Sequence, residues 1–447
     1  MKRNVFIRAF VLGCMIAALT KQPLTAQSEP DPYLLSEINK IKAVDNHTHV
    51  PKLVGPNEKD EEYDALPCGG YVDPSDDPSM ARPDNPLFLE AWRKLYGYRY
   101  NDKAPEHVRE LLAAKQDIKK KQGDNYPVWV LDQLGTEYMM ANRIAMGRGL
   151  PSSRFLWVPF DDALMYPLNT QRIADTADRV FFFQREAMLL KRYMDDSGVS
   201  HMPTSLNDYI ERVIKPTLAR QKKAGAVAIK FEAAYLRSLN FGESREGMAR
   251  NLFSRNLSGG PMNRGDYTIV QDYLFRVIAR EAGLLGLAIH IHTGAGCGSY
   301  FDLEGSNPVL LDSVLNDPSL RKTNFVLIHG GAGPYTKITS FLFSKPNVYA
   351  DFSEQDWLLP PRALSVVIRD WLEWYPEKVM FGTDLFPGTP EVDWEEIGYM
   401  TSTTGRRALA LALTGMVDDK EITRERAVEL ARMVLRGNAL KLYGLKD

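Results

Sequence analysis

The sequence predicts an α/β fold, a (β/α)8 barrel, and three observations carry that expectation. Eight short apolar, β-rich runs recur along the chain, amphipathic stretches lie between them, and several of the later runs stop at glycine or at a side chain of metal-ligating type. Near-continuous apolar strands that alternate with helices imply a parallel sheet covered on both faces, and eight such units suggest a closed barrel. A doubly wound open sheet is the alternative.

Taken in order, the chain begins with an address. Lys2, Arg3 and Arg8 precede an apolar stretch over 9–19, and Ala26 supplies a small residue for cleavage, the layout of a secretory signal over 1–26. The 11-residue apolar run is far short of the ~20 residues that span a bilayer. Val11-Leu12-Gly13-Cys14 also resembles a lipoprotein site, but Arg8 leaves little apolar chain before it, so lipidation ranks second. Export to the periplasm or medium is expected, with 27–447 forming one barrel domain. The mature chain keeps Cys68 and Cys297, which an oxidising compartment would allow to pair.

The strand runs are 43–45, 137–142, 155–160, 226–231, 286–291, 324–328, 348–352 and 378–381, and helical periodicity marks 170–194, 206–223, 267–282, 362–374 and 424–435. Two long insertions interrupt this rhythm. The first, 51–135, follows the first strand; its early part is rich in Pro, Asp and Gly and reads as irregular chain over the barrel mouth. The second, 236–264, follows the fourth strand and carries Gly242, Gly247, Gly259, Gly260 and Pro261, either a flexible lid or a surface excursion.

Composition narrows the function. The 447 residues are 44% hydrophobic and 25% charged, with a formal charge of −2, or −6 once the signal is gone. No basic footprint for nucleic acid or an anionic membrane is present, and three cysteines exclude a cysteine-ligated zinc module or an iron–sulfur protein.

Of the seven histidines, His47, His49, His290, His292 and His329 fall at the C-terminal ends of expected strands. His47 and His49 stand at i and i+2, so on a strand they share a face and can close on one ion. His292 ends the fifth run, His329 the sixth and Asp384 the eighth. A barrel brings these ends to one mouth, where three imidazoles and a carboxylate suit a divalent ion such as zinc. The opposing reading is a set of buried histidines satisfied by hydrogen bonds. His107 and His201 read as surface residues, and the 181–183 Phe run as core. Arg143, Asp161, Asp162, Tyr235, Ser353 and Asp356 stand at the expected rim, with Arg143 the candidate for substrate binding. Gly330-Gly331-Ala332-Gly333 lacks the Lys-Ser/Thr of a phosphate loop.

The ordered set His47-Thr48-His49, Lys230, His292-Thr293-Gly294, His329-Gly330-Gly331 and Gly382-Thr383-Asp384 resembles the amidohydrolase superfamily, in particular the amidohydrolase-related branch that includes aminocarboxymuconate-semialdehyde decarboxylase. The resemblance spans about 40–445 and is strongest over 285–385. It implies a distorted TIM barrel in which His47, His49, His292 and Asp384 ligate the metal. His329 would contact substrate or water, and Asp384 would also accept a proton. His290, on the face of His292 but one layer deeper, would support the site. Lys230 would be either a carboxylated bridge between two ions or a cation beside a single Zn2+. The implied activity is metal-dependent hydrolysis of a carbon–nitrogen, ester or lactone bond in a small molecule, with non-oxidative decarboxylation of an aryl or unsaturated acid as the alternative. Uronate isomerisation is a further activity of such sites, and a non-catalytic metal-binding barrel is the reading from another class. A homodimer is the assembly the resemblance suggests.

Overall fold

The computed structural model describes residues 29–55, 58–67, 78–243, 245–257 and 262–446. The signal segment 1–26 and Cys68 lie outside the described residues; Cys297 is disulfide-bonded.

Eight strands stand where the apolar runs predict them: β1 Ala43–Thr48, β2 Thr136–Asn142, β3 Phe155–Val158, β4 Ala228–Phe231, β5 Ala288–Gly294, β6 Phe325–Ala332, β7 Val348–Asp351 and β8 Val379–Met380. Every paired neighbour is parallel, β1-β2-β3 in one set and β4 to β8 in the other. Backbone bonds join the two sets on both sides. Between β3 and β4, Lys230 N donates to Pro159 O at 2.7 Å and Asp161 N to Lys230 O at 3.0 Å. At the β8–β1 seam, Asn46 N donates to Phe381 O (3.0 Å), Asp384 N to His47 O (2.8 Å) and His49 N to Leu385 O (2.8 Å). The alternation of donors and acceptors is that of a parallel ladder, so the sheet closes into a barrel rather than a doubly wound open sheet.

Every residue of β1, β4, β5 and β6 is buried. That double burial is why the strands read as continuous apolar runs rather than alternating ones. Inside, alternate strand residues Val44, Met140, Val158, Ala228, Ala288, Val326, Ile328 and Met380 cluster with Ala439 and Leu440 from the C-terminal helix Asn438–Tyr443. Outside, helices Ala177–Asp196, Arg264–Leu284, Pro361–Trp374 and Arg424–Arg432 occupy the periodic stretches. Burial of each large apolar side chain contributes about 1.5–3 kcal/mol.

The first insertion has two parts. Its described residues before Pro86 contain no helix or strand, whereas Pro86–Tyr96, Pro105–Gln122 and Tyr126–Leu134 are helices. Phe88, Trp92, Val130 and Leu131 from them form a core with Met400 of the helix Trp394–Asp418. The second insertion contains a helix, Glu246–Asn256, that buries Ala249, Leu252 and Phe253, so its described part is packed structure. Among the described residues no helix is long and apolar enough to cross a membrane.

Candidate metal centre

The bulged end of β1 delivers His47 and His49 to the barrel mouth. His47 Nε2 lies 3.1 Å from Asp384 Oδ1, and His49 Nε2 lies 3.4 Å from the same oxygen. Lys230 Nζ on β4 is 3.2 Å from His47 Nε2. One ligand atom each from His47, His329 and Asp384 falls within a set no wider than 4.8 Å. The His292 ring is 4.7 Å from that of His329.

The backbone is strained to achieve this. Only four non-glycine residues among those described have positive φ, and three are at the mouth: His329 (65°), Glu354 (64°) and Asp384 (53°). Each left-handed residue costs about 1–2 kcal/mol, a cost that accumulates where side chains must be aimed.

Hydrogen bonds fix the imidazoles. His292 Nε2–H donates to Ala295 O at 2.7 Å, which leaves Nδ1 as its lone-pair nitrogen. Asp351 accepts from Ser353 Oγ (2.6 Å), His329 N (2.9 Å) and Asn46 Nδ2 (2.6 Å). The Ser353 proton is therefore committed to Asp351, and Ser353 Oγ accepts the Nδ1–H of His329 at 3.0 Å. His329 Nε2 is then a lone pair, able to ligate or to take a proton. Below, His290 Nε2–H donates to Tyr443 Oη (2.7 Å), which donates to Asn46 Oδ1 (2.6 Å). His290 thus supports Asp351 through two intermediaries, one layer beneath the mouth.

Burial is the main cause of every shift here. It holds His47, His292 and His329 well below the ordinary imidazole range and His290 at about 3, with the Lys230 charge adding to each. The histidines are neutral, the form that binds metals. Burial pushes Asp384 and Glu232 well above the carboxylate range, and Lys230 pulls both down. The residues fit a divalent cation: neutral imidazoles face a carboxyl, and His47 Nδ1 is buried without a hydrogen-bond partner.

Arg143, a candidate substrate ligand in sequence, is used elsewhere. It is fully buried, and its guanidinium donates to Asp60 twice (2.7 and 3.0 Å), to Val50 O (2.8 Å) and to Ala145 O (2.9 Å). It pins the first insertion to β2. Ser353 touches His329 Nδ1, and the Tyr235 ring is 4.8 Å from His292. His107 bonds Asp102 and His201 is exposed. Sequence reasoning missed Asp64, Glu232 and Glu354: Asp64 Oδ2 is 3.4 Å from His49 Nδ1, and Glu354 Oε2 is 3.7 Å from His329 Nδ1. Glu232 carried a signal, two residues beyond Lys230 at the end of β4; Asp64 stands among many acids in an irregular insertion and carried none.

A parallel barrel with His and Asp side chains gathered at the C-terminal strand ends defines the class of metal-dependent barrel enzymes. Residues 204–445 match the family model described as Amidohydrolase, more than half of the chain. The chain belongs to the amidohydrolase family, and with the His/Asp group this supports an enzyme of metal-dependent hydrolase type. The fold is similar to a candidate metal-dependent hydrolase from Lactobacillus casei ATCC 334 (TM-score 0.57, 14% identity, 93% of this chain and 98% of that one). It is also similar to glucuronate isomerase from Caulobacter crescentus (0.55, 12%, 93% and 94%) and to uronate isomerase from Thermotoga maritima (0.55, 14%, 92% and 96%). These likenesses establish the barrel. Comparison with curated proteins found no match.

Proposed function

We propose that this chain is an exported metal-dependent hydrolase that cleaves a carbon–nitrogen, ester or lactone bond of a small molecule. The observation that carries the reading is the convergence of His47, His329 and Asp384 ligand atoms within 4.8 Å at the barrel mouth. His47, His49, His292 and Asp384 would hold the ion, His292 through Nδ1. A divalent ion bound there supplies Lewis acidity and lowers the pKa of water toward neutrality. Asp384, 3.1 Å from His47 Nε2, is placed to accept the proton of the attacking water. With its Nδ1–H committed to Ser353, His329 acts from Nε2 as a proton acceptor or ligand. Lys230 acts as a cation beside His47 and offsets negative charge at the mouth.

The 1–26 segment supports cleavage near Ala26 and delivery outside the cytoplasm, and a homodimer is the expected assembly. Isomerisation of a sugar acid is the second reading, because two proteins of similar fold carry it.

The test is elemental analysis of the chain purified without chelator, beside a His47→Ala/His49→Ala variant, followed by turnover screens on amides, esters, lactones and glucuronate. Bound zinc that disappears in the variant, with hydrolysis lost in Asp384→Asn, is the expected result. Aldose–ketose conversion of glucuronate would select the second reading. Absence of metal after zinc soaking would overturn both.

A further inference from the structure

We infer that the mouth carries a second divalent-cation site, built by His49, Asp64 and Glu232 and sharing the His49 imidazole with the first group. One ligand atom from each of the three lies within 4.8 Å of the others. Asp64 and His49 are each 8% exposed and Glu232 4%, so all three are withdrawn from bulk water. Two of their atoms are buried with no hydrogen-bond partner, His49 Nδ1 and Glu232 Oε2, although buried polar atoms are nearly always satisfied. Both belong to this one cluster, and a cation between them would satisfy both.

The two nitrogens of His49 look in different directions: Nε2 is 3.4 Å from Asp384 Oδ1, and Nδ1 is 3.4 Å from Asp64 Oδ2; with an ion at each, the ring would bridge as an imidazolate, its N–H proton released to solvent. That spacing already suits two ligands of one ion with bonds of about 2.1 Å. One imidazole and two carboxylates suit zinc or manganese, with water completing the coordination. The ligands come from the end of β1, the end of β4 and the irregular part of the first insertion. Occupancy would therefore tie that insertion to the barrel. The place differs from a carboxylated-lysine bridge, which would depend on Lys230. The inference goes beyond the proposed function and shares only His49 with it.

The experiment is equilibrium dialysis of the purified chain against zinc, and separately manganese, with ions counted per chain. Wild type, Asp64→Asn/Glu232→Gln and Lys230→Met are compared, with circular dichroism to confirm folding. The expected counts are two ions in wild type, one in Asp64→Asn/Glu232→Gln and two in Lys230→Met. Two ions surviving in Asp64→Asn/Glu232→Gln would overturn the assignment. One ion in wild type at saturating metal would overturn the second site and leave the proposed function standing, whereas none would overturn both. If Asp64→Asn/Glu232→Gln does not fold, Co2+ titration of wild type decides: a second equivalent bound after the first, and lost in Asp64→Asn alone, supports the site, and a single equivalent refutes it.

Discussion

Gly294 and Gly333 form a matched pair for testing why glycine must follow His292-Thr293. Their φ angles are nearly equal, +91° and +89°, so alanine at either carries a similar backbone penalty, about 1–2 kcal/mol. The space around them differs. A Cβ on Gly294 would sit 2.2 Å from Ala332 N, 2.4 Å from Gly331 C and 2.5 Å from Ala332 O, whereas one on Gly333 meets nothing within 4 Å. The opposing atoms are backbone of β6 and cannot rotate away, so relief requires β5 and β6 to part at the point where His292 and His329 are aimed. Overpacking of this kind costs about 1–3 kcal/mol, and contact with fixed backbone puts it at the upper end. At about 2.1 cal/mol/K of unfolding entropy per residue, a 447-residue chain shifts by about 1 °C per kcal/mol, so Gly294→Ala should unfold roughly 3 °C below Gly333→Ala. The assay is calorimetric melting of both variants with chelator present, so that metal loss does not enter the comparison. Equal melting temperatures would refute the close-approach argument.

Three further outcomes follow from the same geometry. Arg143→Met should cost about 3 kcal/mol in urea unfolding, the lower end for a buried pair, because it leaves the half-buried Asp60 carboxylate without its guanidinium; an unchanged midpoint with a raised KM would instead return Arg143 to substrate binding. Ser353→Ala removes the acceptor that orients His329 and should weaken zinc affinity or turnover about 10–100-fold, and unchanged values of both would refute that role. Burial raises Asp161 to about 8, with Gln221 donating to it, so native Asp161 keeps its proton between its ordinary 3.8 and 8 while the unfolded chain loses it. This contribution to stability is full below pH 3.8 and is lost as pH rises toward 8. Asp161→Asn should flatten the decline in urea midpoint over that interval, and an identical pH profile would count against it.

What was legible in the sequence follows from what leaves a local pattern. Strands buried on both faces read as apolar runs, and all eight could be placed. His47, His49, Lys230, His292, His329 and Asp384 stand out as candidates because a barrel puts its chemistry at strand ends, and the structure brings ligand atoms of His47, His329 and Asp384 within 4.8 Å of one another. The 25-residue helix Trp394–Asp418 left no such trace. It is buried on most of its circumference, and Gly398, Gly405, Ala408 and Ala412 let it lie close to its neighbours, so its apolar residues have no single stripe. Asp64, Asp351 and Glu354 act through contacts distant in sequence, and an isolated acid in a loop looks the same whether it faces solvent or an imidazole. Arg143 shows the reverse: its strand-end position suggests the mouth, whereas its partner Asp60 cannot be foreseen from spacing.

The seam between the first and last strands bears on how the protein is made. His47 and His49 leave the ribosome early, but their carboxyl partner Asp384 and the bonds from Asn46, His49 and Asp384 that close the ring come from opposite ends of the chain. Most of the polypeptide must be synthesised before the ligand set can exist. If the chain is exported unfolded, as proposed, the group would be completed only after translocation, and the metal supply of the outer compartment, rather than that of the cytoplasm, would decide which ion it receives.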